Sequence, residues 1–407
     1  MVGLVASAGL GVMANILIVT ILRYPQIVGG VDMMVSNLVT HLKRRHHVCV
    51  FVPGGWEQSS LSRQVVDGVP VYSIRLRMPV DRRRPLSGLF GWLADFPRIL
   101  FKLRSMVRAE GIDLVHAQMG LEHQMYWRVL RWLGGPPYVI TVHGSDVVGC
   151  FALATSEKAM VQFALSGAAK VNAVSRWLAT QAEEVFPQCA PISWVYNGLD
   201  FQTLQDLPGQ WETSFPEPLP IRYAVMVGSF DPYKGHDLAL RAWGKLKGLD
   251  PGLHLVLVGD GDLRNFYVSL ILELGCERSV HLIGEVPHDD VVRLIAGAEF
   301  MVFPSRNEGL GYVILEAGAV GVPVICTRIP VFEEIIEDGS NGLLVPLDQP
   351  DELVAAALRL TRDQALRSRL GACLREQVEA RFSAHAMTAS YEALYESAIS
   401  ARRRGGR

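Results

Sequence analysis

The chain has 407 residues, 49% of them hydrophobic, and a formal net charge of -2. That length is too great for one ordinary core and suits two domains; the composition is that of a globular α/β protein, with no basic excess that would call for a nucleic-acid partner. Six cysteines (Cys49, Cys150, Cys189, Cys276, Cys326, Cys373) are scattered without a CxxC pair or a metal-ligand spacing, which reads as reduced thiols in a cytosolic protein and as no metal site.

Residues 1–22 carry no charge. A signal peptide or anchor would want a basic start, and Gly3, Ser7, Gly9, Gly11 and Asn15 interrupt the apolar run. Residues 1–12 are therefore read as a leader of no evident fold role, and I-L-I-V-T at 16–20 as a first buried strand. Apolar runs then alternate with helical patterns: V-C-V-F-V at 48–52, D-L-V-H-A at 113–117, Y-V-I-T-V-H at 138–143 and K-V-N-A-V at 170–174. Between 200 and 220 neither period holds and four prolines accumulate, which is linker chemistry. The alternation resumes with Y-A-V-M-V-G at 223–228, H-L-V-L-V-G at 254–259, V-H-L-I-G at 280–284, F-M-V-F-P at 300–304 and P-V-I-C-T at 323–327, followed by helical patterns at 351–370 and 385–400.

Short apolar strands spaced by helices predict parallel sheets covered on both faces, hence two doubly wound, Rossmann-like domains. The expected division is 13–201 for an N-terminal domain, 202–220 for the linker, 221–384 for a C-terminal domain, and 385–407 for a last helix packing back on the first domain. Ligands of open parallel sheets bind outside the carboxyl ends of the strands, so two such sheets facing each other would place the site in the cleft between them.

The most informative stretch is F-P-S-R-N-E-G-L-G-Y-V-I-L-E-A-G-A-V-G-V-P-V-I at 303–325. A strand ends at Pro304 and Ser305, and the pattern turns helical from Tyr312, so Glu308 sits in the loop and Glu316 on the helix. Gly309 and Gly311 lack a Cβ, which lets backbone N–H groups at a helix N-terminus approach a bound oxyanion or sugar hydroxyl.

Four further segments accompany it in order: Gly29-Gly30 after the first strand, T-V-H-G-S-D at 141–146, the pair A-V-S-R-W-L-A at 173–179 and V-Y-N-G-L-D at 195–200, and V-G-S-F-D-P-Y-K-G-H-D at 227–237. Together the five segments resemble the family 4 glycosyltransferases, retaining enzymes of the two-domain GT-B fold, from about Ala14 to Ser400. The resemblance implies a glycine loop at Gly29 and Gly30 over the donor phosphates with room for the acceptor, His143 near the transferred sugar, and Asp146 on the sugar or acceptor side. It implies donor binding by Gly228, Ser229, Lys234, Glu308, the backbone of Gly309, Leu310 and Gly311, and Glu316, which would hold the ribose hydroxyls. Members commonly carry an arginine where this chain has Ser229, so one of two cations facing the diphosphate is missing and Arg306 is a candidate replacement. The implied catalytic residues are His143, Lys234 and Glu308. The implied reaction moves a hexose from a UDP- or GDP-sugar to a glycan or lipid-linked acceptor without a metal or other cofactor. Asp260 and Asp262, in G-D-G-D, are read as part of a sugar-nucleotide loop rather than a metal site.

A retaining glycosidase needs two carboxyl groups about 5 Å apart, which a Glu pair split between loop and helix need not supply. Stabilisation of the departing diphosphate by Lys234 and a helix N-terminus is the expected source of catalysis, with attack on the face the leaving group vacates and a donor phosphate oxygen as base. Charge is distributed unevenly: residues 1–210 hold 19 Lys+Arg against 14 Asp+Glu, and residues 211–407 hold 20 against 27. Basic residues interleaved with Leu86, Phe90, Trp92, Leu93, Phe96 and Phe101 over 82–108 predict a helix able to lie on an anionic bilayer, or else one packed on the core with a solvated basic face. The expected place of work is the cytoplasm, peripheral at the inner face of the cytoplasmic membrane, in cell-envelope or polysaccharide biosynthesis. Two rivals share the fold: a catalytically weak or inactive scaffold, which Ser229 keeps open, and a sugar-nucleotide epimerase.

Overall fold

A computed structural model of the chain describes residues 13–20, 24, 29–55, 58–79, 85–149, 155–189, 191–207 and 220–405. The leader expected at 1–12 and most of the expected linker lie outside the described residues. The chain divides into two compact units, 1–198 with 384–407, and 199–383.

Unit 1 runs β1 (Asn15–Val19), α1 (Gly30–Leu42), β2 (His47–Pro53), β3 (Ser62–Val66), β4 (Val69–Ile74), α2 (Pro85–Ala109), β5 (Leu114–Gln118), α3 (Met125–Trp132), β6 (Tyr138–Val142), α4 (Ser145–Val148), α5 (Thr155–Ser166), β7 (Lys170–Ala173), α6 (Arg176–Val185) and β8 (Ser193–Trp194). Its eight-stranded sheet has the order β3-β4-β2-β1-β5-β6-β7-β8 and is parallel except where β3 pairs antiparallel with β4. The central strands are buried along their whole length, as the runs of Val, Ile and Leu require of a sheet covered on both faces. The β3–β4 hairpin was not among the expected strands. Its signal is the dipeptide Asp67-Gly68, whose φ angles of 49° and 79° fit a two-residue turn of the kind that joins twisted antiparallel strands.

Unit 2 runs α7 (Phe201–Gln205), β9 (Tyr223–Val227), α8 (His236–Leu246), β10 (His254–Val258), α9 (Arg264–Glu273), β11 (Val280–Gly284), α10 (His288–Ala296), β12 (Phe300–Phe303), α11 (Tyr312–Ala319), β13 (Val324–Thr327), β14 (Leu343–Val345), α12 (Pro350–Arg362) and α13 (Gln364–Arg381). Its six-stranded sheet, β11-β10-β9-β12-β13-β14, is parallel throughout. In sequence order this is the classic doubly wound arrangement, whose strand order reverses between β9 and β12. The sheet packs against helices through Leu240, Trp243, Leu255, Leu257, Phe300 and Val302.

Three boundaries differ from the sequence reading. Residues 351–370 form two helices, because the Asp363 carboxylate caps the second by accepting the Leu366 N–H at 2.8 Å. The first residues of the expected linker form α7, which buries Phe201 and Leu204. The chain passes between units at Gly198 and again at Ser383, and Leu199 and Ser383 pair side by side. The last helix, α14 (Ala384–Gly405), belongs to unit 1, where Glu392 receives hydrogen bonds from Arg45 and His46.

Candidate active site

In unit 2 the loops after β9 and β12 leave the sheet at the point where its order reverses, the place where doubly wound folds bind ligands. The loops are laced together: the Arg306 N–H donates to the Tyr233 carbonyl at 2.7 Å, and the Ser305 hydroxyl lies 3.0 Å from the same oxygen. Gly235, with φ 78°, sits so close to the second loop that a Cβ there would fall 2.0 Å from the Pro304 carbonyl oxygen. No other residue fits.

That lacing presents Lys234 to Glu308. Lys234 Nζ is 2.6 Å from Glu308 Oε1, and both side chains are mostly buried. The ammonium also lies 5.2 Å from the Tyr233 ring centroid and 5.7 Å from that of Phe303. The lysine therefore has a fixed address rather than a solvated one. Beyond Glu308, the backbone of Gly309, Leu310 and Gly311 is buried and leads into α11, whose N-cap is Gly311. Gly311 is required for local reasons beyond ligand approach, since its φ is 86° and a Cβ would stand 2.8 Å from Phe332. Leu310 is packed inside the unit, so only its backbone remains available.

Glu316, on α11, is 5% exposed, and its Oε1 is 2.7 Å from His288 Nε2 at the start of α10. Burial works to lower the His288 imidazole, but the hydrogen bond and charge of Glu316 outweigh it and leave the ring above its ordinary value. His288 was not among the expected site residues; its signal was the H-D-D triplet opening a helical pattern.

Gly228 and Ser229 follow β9. The Ser229 hydroxyl donates to the Asp231 carboxylate, so this corner carries negative rather than positive charge. Arg306 does not make up the deficit. Its guanidinium is bidentate on Asp237 at 2.9 Å, holds Asp348 at 2.8 Å through Nε and donates to the Pro232 carbonyl, so two carboxylates already claim it. Asp260 accepts from the Gly261 N–H and from Arg264, which ties the G-D-G-D loop to α9.

Unit 1 presents its own group of loops at the carboxyl ends of β5 and β6. His143 follows β6 and is 8% exposed; its Nε2 donates to Gln118 Oε1 at 2.9 Å, and its Nδ1 is buried without a partner. Burial pushes the ring down to about 4 against the opposing pull of Asp146, so at neutral pH it is an uncharged imidazole with Nδ1 as an acceptor. Gln118 turns its amide nitrogen to His116, whose Nδ1 is 2.6 Å from the Tyr395 hydroxyl of α14. Sequence reasoning missed Gln118, since a lone glutamine at a strand end carries no signal of its own. Asp146 acts on the loops themselves: Oδ1 accepts the N–H groups of His143 and Gly144, both at 2.9 Å, and Oδ2 accepts that of Gly120 at 2.7 Å. Gly29 and Gly30 stand exposed at the N-terminus of α1, where the Asp32 carboxylate accepts the Gly29 N–H at 3.2 Å. The two landmark segments are architectural: Ser175 caps α6, and the Gly198 carbonyl accepts from Asn37 of α1.

Known proteins match this arrangement in sequence and in fold. The family described as glycosyl transferase 4-like domain matches residues 29–198, and that described as glycosyl transferases group 1 matches residues 210–377. An uncharacterized glycosyltransferase of Methanocaldococcus jannaschii is 28% identical over 86% of this chain and 89% of its own. Sucrose-phosphate synthase from Thermosynechococcus elongatus superposes with a TM-score of 0.77 at 21% identity, covering 95% of this chain and all of that one. HepE of Anabaena, solved in complex with UDP and glucose, gives a TM-score of 0.70 at 18% identity over 94% of this chain and all of its own. At such identities the two solved structures speak for the fold.

Proposed function

The chain belongs to the family 4 glycosyltransferases of the GT-B fold and works in glycan biosynthesis, and from that premise we propose that it transfers a hexose, with retention, from a UDP- or GDP-sugar to a glycan or lipid-linked acceptor of the cell envelope. Unit 2 takes the donor in this reading, and unit 1 the acceptor. The observation that carries it is the Lys234–Glu308 pair at the reversal point of the unit 2 sheet, beside the start of α11.

Among the described residues of the two loops, Lys234 is the cation that would face a diphosphate, since Arg306 is held by two carboxylates. In the free protein Glu308 holds it; with donor bound, the ammonium turns part of its charge to the leaving phosphate, and Glu308 accepts from a sugar hydroxyl. The N–H groups at the start of α11 add a second source of positive potential. Glu316, steadied by His288, takes the ribose hydroxyls. The neutral His143 accepts a hydroxyl of the transferred sugar through Nδ1. UDP is the first base to try, because HepE was solved with it.

A thermal-shift panel of nucleoside diphosphates and their sugars tests the donor, since a ligand of the native state raises the melting point by mass action. One nucleotide should stand out, and a flat panel would contradict the reading. Donor turnover with and without glycan acceptors then separates a transferase from an inactive scaffold, and the sugar recovered on the nucleotide exposes an epimerase.

No described helix is long and apolar enough to cross a membrane. α2 divides its aromatic residues: Trp92 and Phe96 pack inward toward Tyr126, whereas Phe90, Leu93 and Phe101 are 69%, 53% and 74% exposed beside the exposed Arg98 and Arg108. That outward face supports a peripheral site of work on anionic lipid at the cytoplasmic membrane.

A further inference from the structure

At the amino end of the unit 1 sheet, opposite the loops that carry His143 and Asp146, three side chains of different chemistry meet. His47 opens β2, in register with Asn15 at the start of β1, and Cys49 shares its face because side chains two apart on a strand point the same way. Glu110 follows the last residue of α2. His47 Nε2 is 2.9 Å from Glu110 Oε2, and Cys49 Sγ is 3.5 Å from the imidazole nitrogen and 3.6 Å from the carboxylate oxygen.

We propose that His47, Cys49 and Glu110 form a zinc site, with water as fourth ligand. A tetrahedral zinc with Zn–N and Zn–O bonds of about 2 Å and Zn–S of about 2.3 Å needs donor separations of roughly 3.3 to 3.6 Å. The two edges that involve sulfur already have that length. The third edge is a hydrogen bond, which an ion lengthens by a few tenths of an ångström. A point about 2 Å from all three atoms exists as the chain stands, the distance zinc asks of nitrogen and oxygen ligands.

The surroundings are built to match. Tyr72, on β4, donates its hydroxyl to Glu110 Oε1, which leaves Oε2 facing the other two donors, and Arg63 Nε bonds the same hydroxyl at 3.0 Å. Outer partners of this kind orient ligating carboxylates. Arg63 also stands 3.8 Å from Glu110 Oε1, and its side chain is half exposed, where water screens its charge. Cys49 is fully buried, while the His47 side chain is 39% exposed, which leaves an open side for water. Thiolate and imidazole together favour zinc over magnesium or calcium, and binding releases the thiol proton to solvent. The ion would clamp the start of β2 to the end of α2 and, through Tyr72, to β4. Sequence spacing concealed the set, since H-V-C is unremarkable until Glu110 arrives from the far end of a 25-residue helix.

The test titrates the full chain, stripped with chelator, with cobalt(II) and then with zinc. One ion per chain should bind with a thiolate-to-cobalt charge-transfer absorption that zinc abolishes, and zinc should raise the melting point. Cys49→Ser should lose the absorption, and His47→Gln should bind cobalt about tenfold more weakly or worse; Cys276→Ser should behave as the parent chain. Absence of the absorption, or its survival in Cys49→Ser, overturns the proposal. Should Cys49→Ser fail to fold, His47→Gln, altered at a partly exposed position, decides it: undiminished cobalt affinity there overturns the site. Nucleotide affinity is expected to be the same with and without the ion, so the outcome stands apart from that of the transferase reading.

Discussion

Ser229 and Lys234 are five residues apart on one loop, and the charge of the proposed donor site turns on the difference between them. Lysine at 234 is held by Glu308 and two aromatic rings, whereas the serine hydroxyl at 229 points its hydrogen at Asp231. Ser229→Arg places a guanidinium beside that carboxylate and next to the diphosphate. A charge-assisted hydrogen bond contributes roughly 1.5 kcal/mol, so calorimetry should show about tenfold tighter binding of the nucleoside diphosphate. The two glutamates should separate in kinetics. Glu316→Ala removes a ribose partner and should raise KM with little change in kcat, while Glu308→Ala should mainly lower kcat, by roughly a hundredfold if it acts in the transition state. Equal, negligible effects from both would mean that the loop and helix carboxylates are not where the donor lies.

At the scale of elements, α14 reaches the acceptor-side loops through hydrogen bonds rather than through contact with them. Tyr395 holds His116 on β5, His116 lies against Gln118, and Gln118 holds His143 beyond β6. Burial pushes His116 down to about 3, with the neighbouring His143 adding to the effect, and His143 itself to about 4. Both rings sit below their ordinary value of 6.5, so the unfolded chain binds more protons than the folded one between that pH and about 4. Stability is therefore complete above pH 6.5 and falls as pH drops through that window, by up to about 1.4 kcal/mol per pH unit for each ring. Denaturant midpoints at pH 7 and pH 5 should show the loss in the parent chain and a smaller one in His143→Asn; a pH-independent midpoint would mean that the rings are charged or solvated. The His288–Glu316 pair runs the other way. Its ring is raised, so its contribution is full below pH 6.5 and fades as pH rises through the folded-state value.

Ten strands were legible as apolar runs, because a parallel sheet buried on both faces leaves the same mark wherever it occurs. Four were not: β3 alternates weakly and is largely exposed, β4 is interrupted by Pro70, and β8 and β14 are two and three residues long. Lys234, Glu308 and Glu316 were legible by motif. His288 and Gln118, which hold Glu316 and His143, were not, since each is defined by a neighbour distant in sequence. Arg306 shows the converse: proximity to the glycine loop in sequence suggested a phosphate ligand, and Asp237 and Asp348 claim it instead.

The whole molecule carries its basic surplus in the first half of the sequence, and α2 concentrates it beside exposed Phe90, Leu93 and Phe101. Vesicles containing anionic lipid should bind the protein at low ionic strength and release it as salt rises, because charges more than a Debye length of about 10 Å apart are screened at 0.1 M. Phe90→Ser with Phe101→Ser should weaken that binding without shifting the melting point, and a chain that ignores anionic vesicles at low salt would place the enzyme's work away from the bilayer. The donor reading has its most direct test in the Kd of the preferred nucleoside diphosphate for Lys234→Ala, measured by calorimetry on protein whose melting point is checked in parallel. Loss of roughly 2 kcal/mol, about thirtyfold in Kd, with the fold intact is the expected result; an unchanged Kd on a folded variant would contradict the assignment of Lys234 and its loops as the donor site.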